Sequence, residues 1–213
     1  MNGRDGVGPL RRPCAAFDGP RCIASGALAR VALKAKAAVD RRAYSSVLIF
    51  DDSTSEVIDV DFRGTPKDVL GRLAEQMRRA DEPAAEPPPE GTASSALPGS
   101  RGPGRPRLGV VAREVTLLPR HWQWLSGQPG GASVALRRLV DDARKANVGK
   151  DRVRQSQEVA YRFMAAMAGD RTGFEEAARA LFARDRDRFD AHIASWPVDI
   201  RSHARRLADG AFA

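Results

Sequence analysis

Residues 101–145 read RGPGRPRLGVVAREVTLLPRHWQWLSGQPGGASVALRRLVDDARK, and the parsing of this stretch decides the fold. It divides into a basic Gly-Arg-Pro segment over 101–107, a β-prone run over 110–117, and two helical runs split by a glycine-rich turn. Val115 and Leu117 alternate with Glu114 and Thr116, the period of a half-buried strand. Pro119 ends that run and sets up a helix over 121–128, with Trp122 and Leu125 three apart on one face. Pro129-Gly130-Gly131 breaks the helix. Ser133 is placed to cap a second helix over 134–145, with Leu136, Leu139, Val140 and Ala143 as its apolar stripe and Arg137, Arg138, Arg144 and Lys145 outside it.

Charge is concentrated in the same stretch. The chain carries a net +8 over 213 residues. Residues 101–145 hold nine bases and three acids, whereas residues 81–100 hold four acids and no base. A localised basic patch is the electrostatic footprint of a phosphate-binding surface. No apolar run approaches the roughly 18 residues that cross a bilayer. The opening MNGRDGVGPLRRP has no apolar core of a secretion signal, and Cys14 and Cys22 are the only cysteines. A cytoplasmic protein without a disulfide framework is expected.

Upstream, residues 1–13 are expected to be a disordered tail. Residues 15–17 and 21–24 flank the turn Asp18-Gly19 as a hairpin, and Leu28, Val31, Ala32, Ala35 and Val39 mark a helix over 27–39. VLIF at 47–50 is a short buried strand, Asp51-Asp52-Ser53-Thr54-Ser55 is turn chemistry, and VIDVDF at 57–62 alternates as a half-exposed return strand. A further helix starts at Thr65-Pro66, with Val69, Leu70 and Leu73 as its stripe. Residues 14–80 are thus expected to form a small ββα-ββα domain. Asp51, Asp52, Asp59 and Asp61 raise the question of a divalent cation, but no glycine stands at the bend of a calcium loop. Their expected role is to solvate a hairpin tip and a strand face.

Residues 81–107 are a disordered linker rich in Pro, Gly and Ser. Residues 146–213 read as a helical bundle. Its stripes are Val159, Phe163 and Met167, then Phe174, Ala177, Leu181 and Phe182, then Phe189, Ile193 and Trp196, then Ile200, Ala204 and Leu207. His121, His192 and His203 have no metal-ligand spacing with Cys, Asp or Glu, and no nucleophile–base arrangement is visible. The expected fold class is α+β, with no catalytic residue, cofactor or metal.

Several resemblances sharpen this reading. The segment RGPGRPR resembles an AT-hook, which lies extended in the minor groove of A·T-rich DNA; Pro103-Gly104 interrupts the usual order. Residues 110–144 resemble a ribbon-helix-helix module. In that family two copies pair their strands and insert them into the major groove, and the second helix grips a phosphate through its N-terminus. The resemblance implies that residues 108–145 act as a homodimer, with Val115 and Leu117 facing the core and Glu114 and Thr116 facing bases. It implies a phosphate anchor at Gly131, Ala132 and Ser133. Glu114 departs from the basic or neutral residues usual at a groove-facing position.

Taken whole, the chain resembles a bacterial family catalogued as domain of unknown function 2239. The resemblance rests on IASGALARVALKAK, VLIFDDSTSEVIDVDFRG, the stretch from Gly104 to Arg144, and AYRFMAAMAGDRTGFEEA. A glycine expected in the Asp51-Asp52 turn is missing. The expectation for function is a non-enzymatic, dimeric DNA-binding protein, a transcriptional regulator. Arg101, Arg105, Arg107, Arg113, Thr116, Arg120, Gly131, Ser133, Arg137 and Arg138 form its DNA-binding set. The rival expectation is a protein-interaction or scaffold module without nucleic acid, in which the tryptophans are core or meet a protein partner.

Overall fold

The structure is a computed structural model that describes residues 8–41, 46–81 and 114–213. The tail over 1–7, the linker over 82–107 and residues 108–113 lie outside the described residues, and with them Arg101, Arg105, Arg107 and Arg113. The chain separates into two compact units. One comprises residues 1–83 and 147–213, the other residues 84–146. The class is α+β, mostly helical, as expected.

The first unit is built on a three-stranded antiparallel sheet. Strand β1 (Pro13–Asp18) lies between β2 (Arg21–Ala27) and β3 (Val47–Asp51). The central strand is covered on both faces. Cys14 and Ala16 join one apolar cluster, Ala15 and Phe17 the other, and all four are fully buried. The first cluster fills the space beneath helix α1 (Leu28–Arg41) and helix α2 (Pro66–Asp81), through Leu28, Val31, Ala32, Ala35, Val69, Leu73 and Met77. Helix α2 starts where the sequence places it. The Asp68 carboxylate accepts from the Thr65 N–H at 2.9 Å, and the Thr65 hydroxyl accepts from the Asp68 N–H at 3.3 Å, a reciprocal cap. Ahead of β1, residues 8–12 are not featureless: Pro9–Arg11 form a 3-10 turn.

The return strand expected over 57–62 reduces to a single bridge between Phe50 and Val57. Its backbone carbonyls are captured by side chains instead. Gln76 Nε2 donates to Asp59 O at 3.1 Å, Arg72 Nη2 to Asp61 O at 2.9 Å, and Lys36 Nζ to Phe62 O at 3.1 Å. The alternation survives in burial, since Ile58, Val60 and Phe62 all pack into the cluster under α1 and α2.

The second cluster fills the opposite face of the sheet. Phe17 and Phe50 meet Phe163, with ring centroids 5.3 and 5.2 Å away. Phe163 belongs to α4 (Gly131–Ala168), and the same cluster takes in α5 (Phe174–Ala183), α6 (Arg186–His192), α7 (Val198–Ala208) and the 3-10 segment Asp209–Phe212. Ala177, Leu181, Phe189, Ile193, Trp196, Ile200 and Ala204 are all buried, as their spacing predicts. The Trp196 indole N–H donates to Thr172 O at 3.1 Å, and the Cys22 N–H donates to Asp199 Oδ2 at 2.9 Å, tying β2 to α7.

The second unit holds helix α3 (Pro119–Ser126) and the first half of α4. Among its described residues, Leu125 and Ala135 are its buried apolar side chains. The second helix differs from expectation in length. It does not stop near Lys145 but runs unbroken through Asn147 and Gly149 to Ala168. Strong helix formers on either side outweigh one interior glycine, which costs about 1 kcal/mol.

Candidate functional site

The residues expected to meet DNA are carried by α3, the turn after it and the first turns of α4. Glu114, Val115 and Thr116 have no strand pairing; Leu118, with φ −66° and ψ 150°, is extended and leads directly into α3. Val115 is 53% exposed, so it is not a core residue of the single chain. A lone strand in one chain has no ladder partner to define it. Thr116 and Arg120 are exposed. Helix α4 starts at Gly131, two residues before the expected cap, so Ser133 lies inside the first turn. Gly130 and Gly131 supply the turn with φ of 84° and 78°, conformations that glycine adopts without strain. The Gly131 N–H donates to Gln128 O at 3.0 Å.

Arg137 and Arg138 are exposed on α4. Arg137 Nε donates to the Ser133 carbonyl at 3.1 Å, which brings these two expected site residues together one turn apart. Arg144 Nη1 is 4.0 Å from Asp141 Oδ1. Arg120, Arg137, Arg138 and Lys145 pair with no carboxylate among the described residues. The apolar side chains here are exposed as well: Trp122 by 41%, Trp124 by 52%, Leu139 by 43% and Val140 by 54%.

A second constellation, in the first unit, joins residues that the sequence did not bring together. Asp52 follows β3, and His203 and Arg206 lie on α7. Arg206 Nη1 meets Asp52 Oδ2 at 3.0 Å, and its Nη2 donates to His203 Nδ1 at 2.9 Å. A guanidinium only donates, so Nδ1 accepts and the proton of the neutral imidazole sits on Nε2, 3.6 Å from Asp52 Oδ1. The imidazole packs at a 47° tilt against Phe163, centroids 4.5 Å apart, and meets Phe17 edge-on at 5.3 Å. Burial, with the Arg206 charge behind it, pushes the His203 pKa down to about 4 against the opposing pull of Asp52.

Asp51, beside it, is buried and accepts from the Ser53 N–H at 2.7 Å, while Asp61 pairs with Arg63 and Arg72. The hydrogen bonds of Arg63, and its charge with that of Arg72, hold the Asp61 carboxyl well below the usual range. Cys14 is buried and its thiol is pushed up to about 12, chiefly by desolvation, which makes it inert. Among the described residues no three His, Cys, Asp or Glu side chains gather as metal ligands, and no helix is long and apolar enough to cross a membrane.

The family described as "Uncharacterized protein conserved in bacteria (DUF2239)" matches residues 13–208. The chain belongs to the DUF2239 family. That match spans the three strands, helices α1 to α7 and the hook-like segment of this DUF2239 protein, so it takes in residues of both units. Neither curated proteins nor solved structures yield a match.

Proposed function

We propose that this DUF2239 protein is a DNA-binding protein that acts as a dimer, and a transcriptional regulator. One observation carries the reading. Arg120, Arg137, Arg138 and Lys145 extend from the second unit into solvent with no acidic partner among the described residues. Surface cations left uncommitted in this density are free to replace the counterions of a phosphate backbone. The sequence adds Arg101, Arg105, Arg107 and Arg113, which surround or follow the hook-like Gly-Arg-Pro core. Thr116, between the exposed Val115 and the half-buried Leu117, is the candidate to reach base edges once two copies pair their 110–117 segments. The first turn of α4, with Gly131 and Ser133, is the candidate phosphate anchor.

The test is fluorescence anisotropy of labelled A·T-rich and G·C-rich duplexes against salt. The expected log–log slope is about −0.9 per neutralised phosphate, and Arg137→Ala with Arg138→Ala lowers its magnitude by about 2. Arg105→Ala erodes the preference for A·T-rich duplex, and Thr116→Ala relaxes sequence preference. No salt-sensitive binding at low ionic strength sinks the proposal.

A second reading rests on the exposed Val115, Leu118, Trp122, Trp124, Leu139 and Val140, each between 41% and 54% exposed. Apolar surface gathered in so short a stretch marks a protein-binding face. On this reading the partner is another protein and nucleic acid plays no part. Trp122→Ala then abolishes capture of that partner while the duplex titration stays flat in the wild type.

A further inference from the structure

Asp52 and Arg206 of that constellation, with Leu207 beside them, line a cleft of about 360 Å³. Helix α4 contributes Arg152, Gln155, Ser156 and Val159 to its lining, spaced i, i+3, i+4 and i+7 on one helical face. Ser53, Asp209 and Gly210 complete the lining. A Cβ at Gly210 would come within 3.1 Å of the Ser156 side chain, so the backbone of the 3-10 segment approaches α4 closely here. The volume falls within the range of small-molecule sites, about 300–1,000 Å³.

The charges in this cleft do not cancel. Asp52 is neutralised by Arg206 at 3.0 Å, and Asp209 by Arg186 at 2.9 Å. Arg152 has neither a hydrogen bond nor an ion pair among the described residues. Arg206 is fixed in place by Asp52 and His203, yet two bonds engage only part of its five-donor fork. The Gln155 amide and the Ser53 hydroxyl are likewise without protein partners among the described residues. Ser156 is not a donor to the cleft, since its hydroxyl is spent on Leu207 O at 2.6 Å.

We infer that this cleft binds a small molecule through an oxyanion, a phosphate or carboxylate group held between Arg152 and Arg206 with Gln155 and Ser53 as neutral donors. Guanidinium groups offer planar, bidentate recognition of such oxyanions, with Arg206 fixed in place and Arg152 uncommitted. Val159 gives the ligand a short apolar contact. The site is separate from the DNA reading and stands without it, because it lies wholly within the first unit.

The test is titration calorimetry of the DNA-free full chain with inorganic phosphate and with citrate, at constant ionic strength made up with chloride. One saturable site per chain is expected for at least one of the two anions, and which anion saturates assigns the group as phosphate or carboxylate. Arg152→Gln is expected to weaken it at least tenfold, and Gln155→Ala by a smaller factor; both side chains are exposed, so both variants fold. Arg137→Gln with Arg138→Gln leaves it unchanged. No saturable binding of either anion overturns the inference, and so does binding that Arg152→Gln leaves intact.

Discussion

Ser55 occupies the bend after β3 with a φ of 53°, the left-handed region that L residues enter at a cost of about 1–2 kcal/mol. The glycine missing from the Asp51-Asp52 turn is the residue this position asks for. Its cost is compounded because the Ser55 hydroxyl is buried without a hydrogen-bond partner among the described residues. Ser55→Gly is therefore expected to stabilise the protein by about 1 kcal/mol after the extra chain entropy of glycine is subtracted, read as a higher urea midpoint at unchanged slope. An unchanged or lower midpoint contradicts this account. His203 makes the opposite case, a residue whose burial makes stability depend on pH. Its pKa is about 4 in the fold and near 6.5 when unfolded, so between those values the unfolded chain binds more protons. The stabilising contribution is whole above about pH 6.5 and is lost as pH falls toward 4. Between pH 7.5 and 4.5 the wild type should lose about 2 kcal/mol more than His203→Gln, measured by urea unfolding at each pH. Equal losses would remove the histidine from the acid sensitivity.

At the scale of elements, periodicity located nearly every helix and strand, and its errors have identifiable competitors. The run VIDVDF carries a strand's alternation, and Ile58, Val60 and Phe62 do point inward. Strand formation needs backbone pairing as well, and Lys36, Arg72 and Gln76 hold the carbonyls of that run. No local pattern reveals that, because those side chains come from two helices. The second error was to end a helix near Lys145, whereas α4 runs on through Gly149. A Cβ at this position meets nothing within 4 Å, and the residue is exposed in the interior of α4. Gly149→Ala should therefore strengthen the helix by about 0.8 kcal/mol. Amides of residues 147–153 are expected to exchange about fourfold more slowly, a change readable by hydrogen exchange; faster exchange would mean that the glycine serves a bend. The turn before α4 was legible because Gly130 and Gly131 leave few conformations open. The shift of Ser133 from cap to first turn was not, since the starting residue depends on the backbone bond that Gly131 makes to Gln128.

For the whole molecule, the sequence left open whether residues 146–213 fold apart from the sheet, and the first unit answers through its central strand. Ala15, Phe17 and Phe50 present one sheet face, and the helices over 159–211 supply the residues that bury it. Cys14, Ala16 and Ile49 present the other face to α1 and α2. Successive residues of one strand serve different layers, so the near-continuous apolar run Cys14–Phe17 signals a strand covered on both sides. Which helices do the covering was not legible, because more than a hundred residues separate Phe17 from Phe163. The same separation hid the pairing of Asp52 with His203 and Arg206, whereas the basic surface was visible because its residues all fall within one stretch, 101–145. Two layers that share one strand should unfold together. Leu73→Ala on α2 and Phe163→Ala on α4 each remove a side chain that is 1% exposed or less. Each is expected to destabilise by about 2–5 kcal/mol. Either substitution should accelerate exchange of the protected amides of α2 and α7 by one common factor, because the opening that exposes one layer strips the sheet from the other. If Leu73→Ala accelerates exchange in α2 and leaves α7 protected, the layers open independently, and the shared strand does not make them one cooperative unit.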